Sequence, residues 1–96
     1  MAGAAFITSR STGHSEWPSR TTNQGSESVL VNGNGIHRQG DSWPVHCNSR
    51  GECHSGSTSV GSGTVLANGR PVSRIGDSIS CGGGIATGSA NVLIGD

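Results

Sequence analysis

Lysine and tyrosine are absent from this 96-residue chain, phenylalanine occurs once, and only 30% of the residues are apolar. Glycine fills 17 positions, and ordering it costs more backbone entropy than ordering any other residue. Burial alone does not hold so short and glycine-laden a chain folded. The composition therefore leaves disorder, or a fold held by staples such as disulfides, a metal or a partner. A net charge of zero and an internal repeat favour the stapled fold. The cations are six Arg balanced by three Asp and three Glu, so there is no basic field for a phosphate backbone, and nucleic acid is not expected as a partner. No apolar run approaches the roughly 18 residues of a membrane span. Ala4-Ala5-Phe6-Ile7 is too short for a signal-peptide core and has no basic region before it, so Sec-type export is not expected. Three cysteines allow at most one internal disulfide and leave one thiol for another task.

What the chain does have is self-similarity. Gly25-Ser26-Glu27-Ser28-Val29-Leu30-Val31-Asn32-Gly33 is followed by Arg38-Gln39-Gly40-Asp41-Ser42. Thirty-six residues later come Gly61-Ser62-Gly63-Thr64-Val65-Leu66-Ala67-Asn68-Gly69 and Arg74-Ile75-Gly76-Asp77-Ser78. A shortened third copy, Gly88-Ser89-Ala90-Asn91-Val92-Leu93-Ile94-Gly95-Asp96, closes the chain. Each unit reads as a short strand, a tight turn at Asn-Gly, a second strand and a turn at Gly-Asp. No stretch carries a sustained helical period. The expected fold is all-β: small hairpins with approximate threefold symmetry, in a single domain over 1–96, with a lead-in at 1–11 and repeats near 25–42, 61–78 and 88–96. Asp41 and Asp77 recur because the turn recurs, which is turn chemistry rather than a catalytic pair. Val29, Val65 and Val92 recur in phase and suit either the core or a contact surface, the core being preferred. His37, where the second copy has Ser73, is expected at the surface or in a turn.

The remaining His and Cys gather in the segments leading into the Gly-Ser copies. His54 lies seven residues before Gly61 and Cys81 seven before Gly88, so the two are expected near one axis. Adjacent residues on a strand face opposite ways. With His54 facing the axis, Cys53 faces away, and the mirrored order of His46-Cys47 makes His46 the partner. Adding His14 gives three imidazoles and one thiolate, a set suited to a tetrahedral zinc with no position left for a reactive water. Such an ion is structural, and its binding energy becomes folding energy. A rival set takes Cys47, Cys53 and Cys81 with one His, and a third reading makes these residues ordinary surface His and buried Cys. Cys47 and Cys53 flank a five-residue loop, 48–52, in which both a disulfide and free thiols remain open. Trp17 and Trp43 are assigned neither to core nor to surface. No nucleophile constellation and no Gly-rich loop leading into a helix argue for an enzyme.

The copies of Val-Leu-x-Asn-Gly-x-x-x-x-Arg-x-Gly-Asp, the Cys81-Gly82-Gly83 step and the closing Gly88-Ser89-Ala90-Asn91-Val92 resemble PAAR-repeat proteins over roughly residues 12 to 96. The motif Pro-Ala-Ala-Arg corresponds to Pro71-Val72-Ser73-Arg74 and, more distantly, to Gly35-Ile36-His37-Arg38. The resemblance implies a small cone of β-hairpins with one structural zinc near its apex, held by His14, His46, His54 and Cys81. It further implies a structural tip that caps the blunt end of a homotrimeric β-helical spike, one copy per trimer. Three similar units suit a threefold partner. Such a tip is made in the bacterial cytoplasm, rides a phage tail or a type VI secretion spike, touches the target outer membrane transiently and takes no small-molecule substrate. Many secretion-system members open with Arg-x-Gly-Asp before the first His. Here Ala5-Phe6-Ile7-Thr8-Ser9-Arg10 stands there and no effector domain is attached, which favours the phage tail, with the secretion system second and a zinc-dependent hydrolase last.

Overall fold

Two adjacent residues with positive φ reverse a chain most tightly, and the repeats supply them. In the computed structural model, which describes residues 1–95, Asn32 and Gly33 take φ of 51° and 83°, and Asn68 and Gly69 take 56° and 78°. These are the Asn-Gly turns that match the right-handed twist of a hairpin. The first joins β2 (Leu30–Val31) to β3 (Asn34–Gly35), and the second joins β6 (Leu66–Ala67) to β7 (Arg70–Pro71). The registers are equivalent: Leu30 opposes Gly35 as Leu66 opposes Pro71.

The third hairpin is made from the two ends of the chain. β1 (Ala2–Gly3) pairs with β8 (Leu93–Ile94), Gly3 opposing Leu93 and Ala2 opposing Ile94. The segment after β1 continues the equivalence. Thr8 has φ 87° where Gly40 and Gly76 have 90° and 96°. Ser9 Oγ accepts a hydrogen bond from the Phe6 N–H at 3.0 Å, as Asp41 Oδ2 does from Arg38 at 2.9 Å and Asp77 Oδ2 from Arg74 at 2.8 Å. The lead-in thus supplies the second half of the third repeat. Asp96, which ends the third copy, lies outside the described residues.

The Gly-Ser steps have a physical reason. The Oγ of Ser26, Ser62 and Ser89 each accepts the N–H of the Val three residues on, at 2.9, 3.0 and 2.9 Å. A Cβ on the preceding glycine would lie 2.7 Å from the Gly35 carbonyl oxygen at Gly25, 2.7 Å from Pro71 Cβ at Gly61 and 2.6 Å from the Ala4 carbonyl oxygen at Gly88. Glycine lets the segment approach the next hairpin, and serine then caps it. The three units close on one another through a cyclic set of backbone bonds, all 2.9 Å: Ala5 N–H to Ser73, Ser73 N–H to His37, and His37 N–H to Ala5.

Below this ring sits the base core of Ala4, Val31, Ile36, Ala67, Val72 and Ile94, two positions taken once from each unit. Above it a second cluster joins Ala5, Trp43, Ile79 and Ile85, with Cys81 packed against it. β4 (Ser42–Cys47) and β5 (Cys53–Ser57) form the longest hairpin, irregular between Trp43 and His46, and the molecule extends 39 by 24 by 21 Å. Among the described residues there is no helix, and hence none able to cross a membrane. The all-β fold of small hairpins expected from the repeats is the observed architecture, and it agrees with the small cone that the resemblance implies.

Two expectations are corrected. Val29 and Val65 are 39% and 37% exposed and stand outside the core, while Val92 is half-buried and packs against it; the buried positions are Val31, Ala67 and Ile94. In a strand of two residues the facing parity is set by the hairpin register, and that register turns the second residue inward. His37 is fully buried on the ring, not at the surface. Its Nδ1–H donates to the Gln24 carbonyl at 2.7 Å, and its Nε2 accepts from the Thr58 hydroxyl at 2.7 Å, which in turn accepts from Trp43 Nε1–H at 2.9 Å. Asp41, also fully buried, meets Arg38 and Arg70, each at 2.9 Å.

Gly61→Ala should lower the unfolding free energy by about 1–3 kcal/mol, read from urea titration, because the new Cβ collides with Pro71. Burial holds the His37 pKa below its ordinary 6.5, the Gln24 hydrogen bond opposing this only in part. The unfolded chain then binds more protons than the folded one as pH falls through that value, so stability is full above it and declines below it. The thermal midpoint should fall less steeply with acid in His37→Gln than in the natural chain.

Candidate metal centre

Directly opposed residues of an antiparallel pair share a face, and the β4–β5 register opposes His46 to His54 and Cys47 to Cys53. One face of the hairpin therefore carries two imidazoles and the other two sulfurs. The sulfurs form a disulfide, which settles the pairing left open by the spacing. His14 arrives on a tight loop whose ends are tied by His14 N–H to the Trp17 carbonyl at 3.0 Å and Trp17 N–H to the His14 carbonyl at 2.8 Å. Its Nε2 stands 3.0 Å from His54 Nε2, with the rings within 4° of parallel. His46 closes the third side, its ring inclined about 60° to both, with centroids 5.0 and 4.6 Å away.

Cys81 sits on a turn closed by the Gly82 N–H to the Ile79 carbonyl at 3.0 Å and keeps a free thiol. Glycines admit it. A Cβ on Gly56 would lie 3.0 Å from the Cys81 backbone nitrogen, and one on Gly82, whose φ is 127°, would lie 3.3 Å from His14 Nδ1. One potential ligand atom from each of His14, His46, His54 and Cys81 lies within 4.8 Å of the others.

The chain's sequence matches the PAAR motif family over residues 12–87. The chain belongs to the PAAR-motif family. No curated protein matches it significantly. The PAAR family is one of structural spike tips, and membership supports a spike-tip role here.

In this PAAR chain the donor set can be tested against a metal by one buried atom. His46 Nδ1–H donates to the Pro18 carbonyl at 2.8 Å, which directs the Nε2 lone pair into the cluster. That Nε2 is buried and has no hydrogen-bond partner. Buried polar atoms are seldom left unpaired, and the other three donors converge where this one points. Two facing imidazole nitrogens at 3.0 Å are close to the roughly 3.3 Å edge of a tetrahedron with zinc–nitrogen bonds of about 2.0 Å. The residues fit a metal ion. Desolvation, with the neighbouring His46 and His54 adding to it, also holds the His14 pKa below its ordinary value, which favours the neutral, ligating form.

The structure brings together the set picked by repeat phase and strand alternation. The rival set fails because Cys47 and Cys53 bond to each other on the opposite face of the hairpin. Sequence reasoning missed the stacking of Trp17 on both His14 and His54, and nothing in the spacing marks it. Trp43, also unassigned from sequence, is core.

Because the disulfide lies away from the imidazoles, replacing both Cys47 and Cys53 by Ser should leave metal content unchanged. It should lower stability by about 2 kcal/mol, the loop-closure entropy of so short a loop, measured by thermal unfolding of the loaded protein.

Proposed function

We propose that this chain is the tip of the spike of a contractile injection machine, with a structural zinc at its point and the blunt end of a homotrimeric β-helical spike beneath its base. The observation that carries the reading is a set of three leucines in equivalent positions of the three hairpins. Leu30, Leu66 and Leu93 are 61%, 60% and 51% exposed, each next to a residue of the base core. One chain thus offers a threefold-repeated apolar surface, which suits a partner with true threefold symmetry and one copy of this chain per trimer. The hairpin edges at that base also suit continuation of the partner's strands.

The zinc reading rests on chemistry. Three imidazole nitrogens and one thiolate are donors for zinc, and four protein ligands fill its usual coordination, so the ion braces the fold and does no hydrolysis. His14, His46, His54 and Cys81 come from separate segments, and one ion joining them ties the apex together. A point so braced concentrates the force of contraction on the target outer membrane. The hydrolase reading has no supporting feature. Phage tail and type VI spike ask the same of a tip. The phage tail is the first reading and the type VI spike the second, since Phe6–Ser9 takes the place of the other units' Arg-x-Gly-Asp turn without its residues.

Elemental analysis of purified protein should find about one zinc per chain. His46→Ala should lose both metal and thermal stability, whereas retained zinc would remove His46 from the site. Mixed with its trimeric β-helical spike, the chain should co-purify at one copy per three. Replacing Leu30, Leu66 and Leu93 together by Ser should abolish that complex while leaving metal content intact. A triple variant that still binds the trimer would move the interface elsewhere.

A further inference from the structure

Trp17 offers no donor atom to the cluster, yet it is built into it. Its half-buried indole lies over His54 with centroids 4.7 Å apart and planes 22° apart, and over His14 at 5.3 Å and 21°. Those two imidazoles are nearly parallel and face each other through their Nε2 atoms at 3.0 Å, so a single indole spans both. The indole is anchored at its far side: Nε1–H donates to the Glu52 carbonyl at 3.0 Å, in the loop that the Cys47–Cys53 disulfide closes. Beside it Arg50 pairs with Glu16 at 2.8 Å and with Glu52 at 2.9 Å, tying the same two loops. The paired backbone bonds between His14 and Trp17 fix the point from which the indole reaches over the first imidazole.

We infer that Trp17 is a positioning residue that roofs the metal centre, holding His14 and His54 in register and governing how long the ion stays. The inference rests on the metal-binding reading above. A chelated ion leaves as its ligands detach in turn and water or a competing chelator enters. For His14 or His54 to detach, its ring must swing out from under the indole, and the indole is held by its Nε1–H bond to Glu52. Removing it leaves all four donors in place but frees two of them to swing and opens one side of the site to solvent. Groups that orient metal-bound histidines without touching the metal act in this way.

The test is a release experiment on the full chain loaded with zinc, mixed with an excess of a chromogenic chelator and followed in time. The absorption spectrum of the cobalt(II) form reports whether the three-nitrogen, one-sulfur set is intact. Trp17→Ala should keep a full complement of metal and the same cobalt spectrum, and release zinc faster by about tenfold or more. Trp17→Phe keeps a ring but has no N–H for Glu52, and should fall between. An unchanged spectrum with release within about twofold of the natural chain would overturn the inference. If Trp17→Ala takes up no metal, Trp17→Phe decides: faster release supports the roof and an unaltered rate overturns it. A natural chain that binds no metal at all would sink the metal reading itself. Normal loading with release indifferent to residue 17 would sink only the roof.

Discussion

Four side chains from separate segments of a thin-cored chain meet within 4.8 Å of one another, and the shape of the apex depends on that meeting. The base core contains six buried apolar residues, two of them alanine, and the upper cluster contains four, one of them alanine. Such cores leave little margin against the entropy of ordering the chain. An ion shared by residues 14, 46, 54 and 81, as proposed, would convert coordination energy into folding energy. The disulfide is a staple on the opposite face of the same hairpin, so it takes no sulfur from the cluster of donors.

Threefold repetition organises the rest. Every unit contributes one glycine that permits close approach, one serine that caps, one residue to the backbone ring and two to the base core. The units are not identical, and their differences are placed where they serve. At the ring, Ala5 and Ser73 are small and His37 is large, and the imidazole reaches into the hydrogen-bonded group of Thr58, Trp43 and the Gln24 carbonyl. That group links the base to the hairpin that carries His46 and His54. Two units hold their turn with a buried Arg–Asp pair and the third with a serine hydroxyl, so backbone geometry is preserved while the charge is not.

The repeat was legible because it is periodic, and two of the four clustered donors were legible because they share its phase. Asn-Gly recurs where the chain must turn, and His54 and Cys81 share a phase although one lies on β5 and the other on a tight turn. The first residues were not legible as part of a repeat. Ala5-Phe6-Ile7-Thr8-Ser9 shares only the isoleucine with Ser73-Arg74-Ile75-Gly76-Asp77, and the bonds that make them equivalent are mostly backbone bonds, which any residue supplies. Burial of His37 depends on partners 13 and 21 residues away, and no local pattern records them. The valines misled because a two-residue strand has no alternation to read, and only the pairing of Leu30 with Gly35 and Leu66 with Pro71 tells which side is in. The disulfide likewise follows from hairpin register rather than from spacing.

The proposed centre holds one ion by three imidazoles and one thiolate. X-ray absorption at the zinc edge of the purified protein reads that shell directly. Three nitrogen neighbours at about 2.0 Å and one sulfur at about 2.3 Å are expected, with imidazole scattering beyond them. A shell of oxygen atoms, or one with two or more sulfurs, would contradict it.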